Sequence, residues 1–217
     1  MSGKAPSIAV VDYGIGNLGS VMKAFRHLGA SAALTGDPAE LRRADTLVLP
    51  GDGAFGATMD EIERRGLVPV LREAARTGRT LLGICIGMQV LFEEGEEHGR
   101  HRGLGLLPGR VRRLEGDLPI PHMGWNQLHP TRTHPLLDGV PEGAHVYFVH
   151  SYWCDAPAEV VLAETDYGTR FPAIVGRGPV LGVQFHPEKS QAVGLRLMAN
   201  FVRLAADKAA PVARRRA

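Results

Sequence analysis

Thr80-Leu81-Leu82-Gly83-Ile84-Cys85-Ile86-Gly87-Met88-Gln89 sets an apolar run directly against a cysteine that has a glycine two residues away on each side. A short apolar run ending in Gly-x-Cys-x-Gly reads as a buried strand over 80–84 that turns sharply into a helix over 86–92. A side chain held on such a turn brings its neighbours at minus two and plus two close to other backbone, where a Cβ would clash. The turn lifts the Cys85 sulfur out of the sheet and sets it at a helix N-terminus, whose unpaired N–H groups favour a thiolate. An arbitrary free cysteine is ordinarily a small buried apolar side chain. The glycines at both required positions favour a nucleophile instead.

Before this junction, strand and helix signals alternate. Residues 8–12 form a β-branched strand, followed by a glycine-rich turn and a helix over 18–28. A strand over 30–35 stops at Gly36-Asp37-Pro38, where Asp37 is placed to cap a short helix. A strand over 46–49 runs into Pro50-Gly51-Asp52-Gly53-Ala54-Phe55-Gly56, and helices follow over 57–65 and 67–77. This rhythm predicts an α/β fold: a doubly wound, mostly parallel sheet with helices on both faces. Beyond the junction the pattern changes. Strands over 110–114, 124–129, 145–154, 160–165, 171–175 and 180–184 are separated by Gly/Pro turns, which predicts an antiparallel or mixed extension. A last helix over 190–206 carries Val193, Leu197, Phe201 and Leu204 at the spacing of one buried face.

A chain of 217 residues suits one domain, placed at 7–206, between an unstructured N-terminus at 1–6 and a basic tail at 207–217 that ends in Arg214-Arg215-Arg216-Ala217. With 44% hydrophobic and 22% charged residues the composition is that of an average globular protein, and the net charge of +2 leaves no basic stripe for nucleic acid. No apolar stretch approaches the roughly 18 residues of a membrane span, and residues 1–7 lack the apolar core of a secretory signal. Two cysteines in unlike contexts, Cys85 and Cys154, make no disulfide framework and fit a cytoplasmic protein, with Cys154 structural.

Gly14-Ile15-Gly16-Asn17-Leu18-Gly19 matches the dinucleotide-binding pattern, and Asp37 lies near the position of a ribose-binding acid. A nicotinamide enzyme, however, leaves the Cys85 junction unexplained, so the stretch reads better as a turn that exposes Asn17. A cysteine nucleophile needs a general base and a group to orient it. Of nine histidines, His98 and His101 sit in a charged loop without further metal ligands, and no metal is expected. His27 sits in a helix-period stretch as a surface or boundary side chain, and His122, His129, His134, His145 and His150 have no carboxylate at a suggestive spacing. His186 ends the run Val180-Leu181-Gly182-Val183-Gln184-Phe185, is followed by Pro187, and has Glu188 two residues on. On an extended segment these two side chains point the same way, so Glu188 can hold the imidazole.

Gly83-Ile84-Cys85-Ile86-Gly87-Met88-Gln89 together with Gln184-Phe185-His186-Pro187-Glu188 resembles the class I glutamine amidotransferases. The resemblance implies a glutaminase with Cys85 as nucleophile, His186 as acid and base, Glu188 as orienter, and no cofactor. Asp12-Tyr13-Gly14-Ile15-Gly16-Asn17, the stretch 49–56, Pro121-His122-Met123-Gly124-Trp125-Asn126 and His186-Pro187-Glu188-Lys189-Ser190 are similar to the glutaminase-subunit family of imidazole glycerol phosphate synthases, over about residues 7–205. That likeness implies L-glutamine as substrate, a heterodimer with a (β/α)8 cyclase, and a step of histidine biosynthesis. It puts backbone N–H groups of Asp52, Gly53 and Ile86 at the oxyanion. Gly51, Gln89, Ser151 and Tyr152 become glutamine contacts, though Gln89 can equally tie down backbone and Tyr152 serve as core. Asn17, Trp125 and Lys189 become candidates for the partner-facing surface, with plain core as the other reading of Trp125. Asp52 departs from the family, which commonly has an apolar residue there. A carboxylate beside an oxyanion is unfavourable, so its side chain is expected to point away. Two other readings stay open: the glutaminase of a different synthase, such as pyridoxal phosphate synthase, and a non-catalytic regulatory subunit.

Overall fold

A computed structural model describes residues 7–209. The expected ends at 1–6 and 210–217 lie outside the described residues. Residues 207–209, expected in the tail, continue the last helix instead.

The first half follows the alternation read from the sequence: β1 (Ile8–Val11), α1 (Leu18–His27), β2 (Ala32–Thr35), α2 (Pro38–Arg43), β3 (Thr46–Leu49), α3 (Phe55–Arg64), α4 (Val68–Arg76), β4 (Thr80–Ile84) and α5 (Ile86–Gln89). The Asp37 carboxylate caps α2 by accepting from the Ala39 N–H at 2.8 Å, which commits the acid of the dinucleotide pattern to a structural bond. Helix α5 is one turn, not the longer helix expected over 86–92. Past Gln89 the chain bends away because the Val90 and Phe92 carbonyls accept from Leu104 and Gly105 N–H groups. Gly103 permits that approach: a Cβ there would lie 2.2 Å from the Phe92 oxygen.

The second half comprises β5 (Glu94–Gly95), β6 (His101–Arg102), β7 (Arg110–Arg113), β8 (His122–Pro130), β9 (Ala144–His150), β10 (Tyr152–Asp155), β11 (Val161–Asp166), β12 (Arg170–Arg177), β13 (Val180–Val183) and α6 (Gln191–Ala209). Nine strands form one sheet in the order β2-β1-β3-β4-β13-β12-β11-β8-β9. Pairings from β2 to β13 are parallel and those from β13 to β9 antiparallel. Every residue of β1, β3, β4 and β13 is buried, so both faces of the parallel half are covered. No described helix is long and apolar enough to cross a membrane.

The strand expected over 145–154 is in fact two. Strand β9 pairs with β8 in the large sheet, while β10 pairs with β7 in a separate four-stranded sheet of order β10-β7-β5-β6. The chain changes sheets at Ser151, whose carbonyl accepts from the Leu114 N–H at 2.8 Å. Strand-forming residues continue past the step as Tyr152-Trp153-Cys154, so composition alone does not reveal it. The crossover stands over the carboxyl end of β4, where Cys85 emerges.

Candidate active site

Cys85 lies between β4 and α5 with φ +55° and ψ −114°, a left-handed conformation rare for a residue with a side chain. Two close approaches hold it there. A Cβ on Gly83 would lie 2.4 Å from the Gly87 oxygen, and one on Gly87 only 1.8 Å from the Leu49 oxygen. Both glycines of the motif are therefore required by backbone contact, as the sequence suggested. The Cys85 N–H is bonded to the Val183 carbonyl at 2.8 Å, tying the turn to β13.

His186 follows β13, and its backbone is fixed from both sides. Its N–H donates to the Tyr147 carbonyl at 2.9 Å, and its carbonyl accepts from the Ser190 hydroxyl at 2.6 Å. Glu188 does not lie on an extended segment as expected; Pro187–Lys189 is a 3-10 turn that curls the carboxylate back. The outcome is the same contact, with His186 Nδ1 2.8 Å from Glu188 Oε1 and both side chains almost fully buried. His186 Nε2 is buried without a hydrogen-bond partner among the described residues, and the Cys85 sulfur is near enough to act on the imidazole. Burial acts to lower the imidazolium pKa, but the Cys85 sulfur and the Glu188 carboxylate outweigh it, and the pKa is pushed up to about 10. The charged imidazolium is therefore the form of His186 that these neighbours favour. The single turn of α5 contributes less dipole at Cys85 than the longer helix expected.

A cleft of about 250 Å³ opens over the sulfur, lined by Asp52, Gly53, Cys85, Ile86, Gln89, Glu97, Pro121, Val149, His150, Ser151 and Tyr152. Gly51 packs beneath it: a Cβ there would lie 2.5 Å from the Gly87 nitrogen. Tyr13 is buried and donates its hydroxyl to the Pro50 carbonyl at 2.6 Å, anchoring the start of the 50–53 loop. Ile86 opens α5, so its N–H has no acceptor within the helix. The Gly53 N–H, by contrast, is taken by the Asp52 side chain, with Oδ1 at 3.0 Å. The exposed Asp52 carboxylate thus curls over its own loop, neither onto the sulfur nor fully away from the cleft.

Gln89 is wholly buried; its Nε2 donates to the Tyr152 carbonyl and to Gln184 Oε1, while Oε1 has no partner. Gln89 thus ties down the Tyr152 backbone and also lines the cleft. Glu97, which the sequence reading passed over, lines the cleft and accepts from the Phe55 N–H at 2.7 Å. It lies on the loop between β5 and β6, and no local pattern in that charged stretch singles it out. His129 meets Glu142 at 2.6 Å on the surface, a tertiary contact thirteen residues apart for which the sequence has no local signal. Among the described residues no His, Cys, Asp or Glu group is arranged to hold a metal. Cys154 is buried and its thiol is pushed well up by burial, as suits an inert side chain.

The residues expected on a partner-facing surface lie apart from the cleft. Trp125 is 47% exposed and Met123 on the same strand 62% exposed, so Trp125 is not core. Lys189 is exposed, and Asn17 caps α1, its side chain accepting from the Ser20 N–H at 3.4 Å.

The model of the family described as glutamine amidotransferase class-I matches residues 9–204. The imidazole glycerol phosphate synthase subunit HisH of Symbiobacterium thermophilum is 53% identical over 201 residues, 92% of this chain and 95% of that one. The subunit of the same name from Bacillus cereus is 50% identical over 194 residues, 89% of this chain and 93% of that one. A crystal structure of a glutamine amidotransferase superposes with a TM-score of 0.73 at 24% identity, covering 91% of this chain and 98% of that one. A cysteine elbow facing a buried histidine–carboxylate pair, on this sheet and with these relatives, leaves one assignment: the chain belongs to the class-I glutamine amidotransferases, in the HisH family of imidazole glycerol phosphate synthase subunits.

Proposed function

We propose that this chain hydrolyses L-glutamine to L-glutamate and ammonia, and supplies the ammonia to a (β/α)8 cyclase subunit in a cytoplasmic heterodimer of histidine biosynthesis. The observation that carries the chemistry is the alignment of Cys85, His186 and Glu188 beneath a cleft of amino-acid size. The Cys85 thiolate attacks the side-chain amide carbon of glutamine, and the carbonyl electrons move onto oxygen. The Ile86 N–H and the N–H groups of the Asp52–Gly53 loop receive that oxyanion; one such donor is typically worth about 3 kcal/mol. His186, an imidazolium held by Glu188, passes the Nε2 proton to the departing nitrogen, and ammonia leaves. The neutral imidazole then takes a proton from water, which attacks the thioester and releases glutamate and the thiolate.

Substrate charges find counterparts in the cleft. The Glu97 carboxylate suits the α-ammonium. The Ser151 and Tyr152 backbone lies across the same opening. We place the cyclase on the exposed side of β8, around Trp125 and Met123, with Asn17 and Lys189 as further contacts.

The test is glutamate release from glutamine, with and without the cognate cyclase and its nucleotide substrate. Strong stimulation by that pair is expected, and Cys85→Ala should abolish it. Turnover by Cys85→Ala would overturn the mechanism, and indifference to the cyclase would overturn the partner.

A further inference from the structure

Two buried histidines outside the triad form the centre of a continuous hydrogen-bonded chain that ends on the catalytic sulfur. Asn126 Nδ2 lies 3.2 Å from His122 Nε2, His122 Nδ1 3.0 Å from His150 Nε2, and His150 Nδ1 2.8 Å from the Tyr152 carbonyl. The same carbonyl accepts from Gln89 Nε2 at 2.9 Å, Gln89 Nε2 reaches Gln184 Oε1 at 3.1 Å, and Gln184 Nε2 lies 3.9 Å from Cys85 Sγ. His122, His150, Gln89 and Gln184 are all buried.

The chemistry of each partner fixes every proton in this chain. A carbonyl only accepts, so His150 carries its proton on Nδ1. Burial keeps both rings neutral, with pKa values lowered to about 4 for His122 and about 3 for His150. Neutral His150 therefore offers Nε2 as an acceptor, and His122 must place its own proton on Nδ1. His122 Nε2 is then an acceptor for Asn126. The second Nδ2 proton of Asn126 goes to the Asp166 carbonyl at 2.8 Å, and its Oδ1 accepts from the Gln127 N–H at 2.8 Å. At the other end, Gln184 Oε1 is used by Gln89, which leaves its Nε2 to donate to the sulfur. His122 is also clamped between the rings of Phe148 and Tyr167, with centroids at 4.7 and 4.1 Å. No ring can turn over without breaking two bonds.

We infer that His122 and His150, each held as the neutral Nδ1–H tautomer, are positioning residues that fix the Tyr152 carbonyl and, through Gln89, aim the Gln184 amide donor at the Cys85 sulfur. The chain helps hold the sulfur as the thiolate, because an N–H donor favours the anion over the thiol. Its outer end, Asn126, sits on β8 beside the exposed Trp125. The inference deepens the glutaminase reading and rests on it for the role of Cys85.

Histidine ring tautomers are read from long-range ¹H–¹⁵N spectra of the full chain at pH 7, with His122→Phe and His150→Phe as assignment controls. Both rings are expected to be neutral with the proton on Nδ1; a proton on Nε2 of either would overturn the inference. Alkylation of Cys85 by iodoacetamide as a function of pH then reads the thiolate without using the glutamine pocket. Gln184→Leu and His122→Phe, which keeps the ring stack, should each move the midpoint up by about 0.5 unit, a roughly threefold smaller thiolate population below the midpoint. An unmoved midpoint in both folded variants would overturn the inference even if turnover fell. Failure of the wild-type chain to release glutamate with its cyclase would instead sink the glutaminase reading, since neither the tautomers nor the alkylation profile depends on turnover.

Discussion

Gly87 approaches Leu49 so closely that a Cβ on the glycine would stand 1.8 Å from the Leu49 carbonyl oxygen. The contact joins the turn that carries Cys85 to the end of β3, directly before the 50–53 loop. Cys85 and the proposed oxyanion donors are thus registered to one another by backbone, without any side chain between them. Gly87→Ala should force the two strands' ends apart. A destabilisation of about 3 kcal/mol is expected, with glutaminase activity reduced at least 100-fold, on the order of one lost oxyanion donor. Thermal unfolding and turnover at a temperature where the variant is still folded would check both. Retained activity would mean that the elbow does not depend on this contact.

Glu188 has a different task, because it acts through the imidazole. Glu188→Gln keeps a group at Oε1 that can still accept from His186 Nδ1, but it removes the negative charge. The His186 pKa, now pushed up to about 10, should fall. The sign is that of a raised cationic group: the stabilising effect is complete below the ordinary value near 6.5 and disappears as pH rises toward about 10. In the variant the loss should still begin near 6.5 but be smaller and complete at a lower pH. Histidine ring spectra at pH 8 would show an imidazolium in the wild type and a neutral ring in the variant. Turnover should fall about 10–100-fold, in the range of acid–base catalysis.

The elbow, the parallel half and the proximity of His186 to Glu188 were legible because each is written in local sequence. Glycines at fixed offsets from Cys85, a fully apolar run before it, and Pro187 after His186 need no tertiary knowledge. What escaped notice depends on chain segments meeting from afar. The step at Ser151 hides inside a run of strand-forming residues that continues on both sides of it. Glu97 becomes a cleft residue only because the hairpin after β5 folds over α3. His122 and His150, 28 residues apart, become a pair only through the antiparallel register of β8 and β9.

That pair makes an acid limb to the stability curve. His122 and His150 have pKa values lowered by burial to about 4 and about 3, so the unfolded chain takes up protons first as pH falls. Their contribution is present above the ordinary value near 6.5 and is lost as pH drops from there toward 4 and 3. His122→Phe should therefore flatten the decline between pH 6.5 and 4, even if it is less stable at pH 7. Urea unfolding of both proteins across that range would check it. Parallel curves would place the acid sensitivity elsewhere.

Asp52 offers the sharpest test of how the cleft becomes competent. Its Oδ1 accepts the Gly53 N–H at 3.0 Å, and that N–H is one of the donors proposed for the oxyanion. The side chain is exposed, and its loop is fixed at one end by Tyr13 on Pro50 and packed at Gly51 against Gly87. Before Gly53 can serve the oxyanion, the carboxylate must release it, and a hydrogen bond of this kind is worth about 1 kcal/mol. The negative charge must also move from the developing oxyanion. Asp52→Ala removes both obstacles and should raise the turnover of the chain about threefold to tenfold, with little change in the KM for glutamine. Asp52→Asn keeps the bond through its Oδ1 but not the charge, so its gain should be smaller. Equal gains in the two variants would assign the effect to charge alone, and a loss in both would show that the carboxylate assists the reaction.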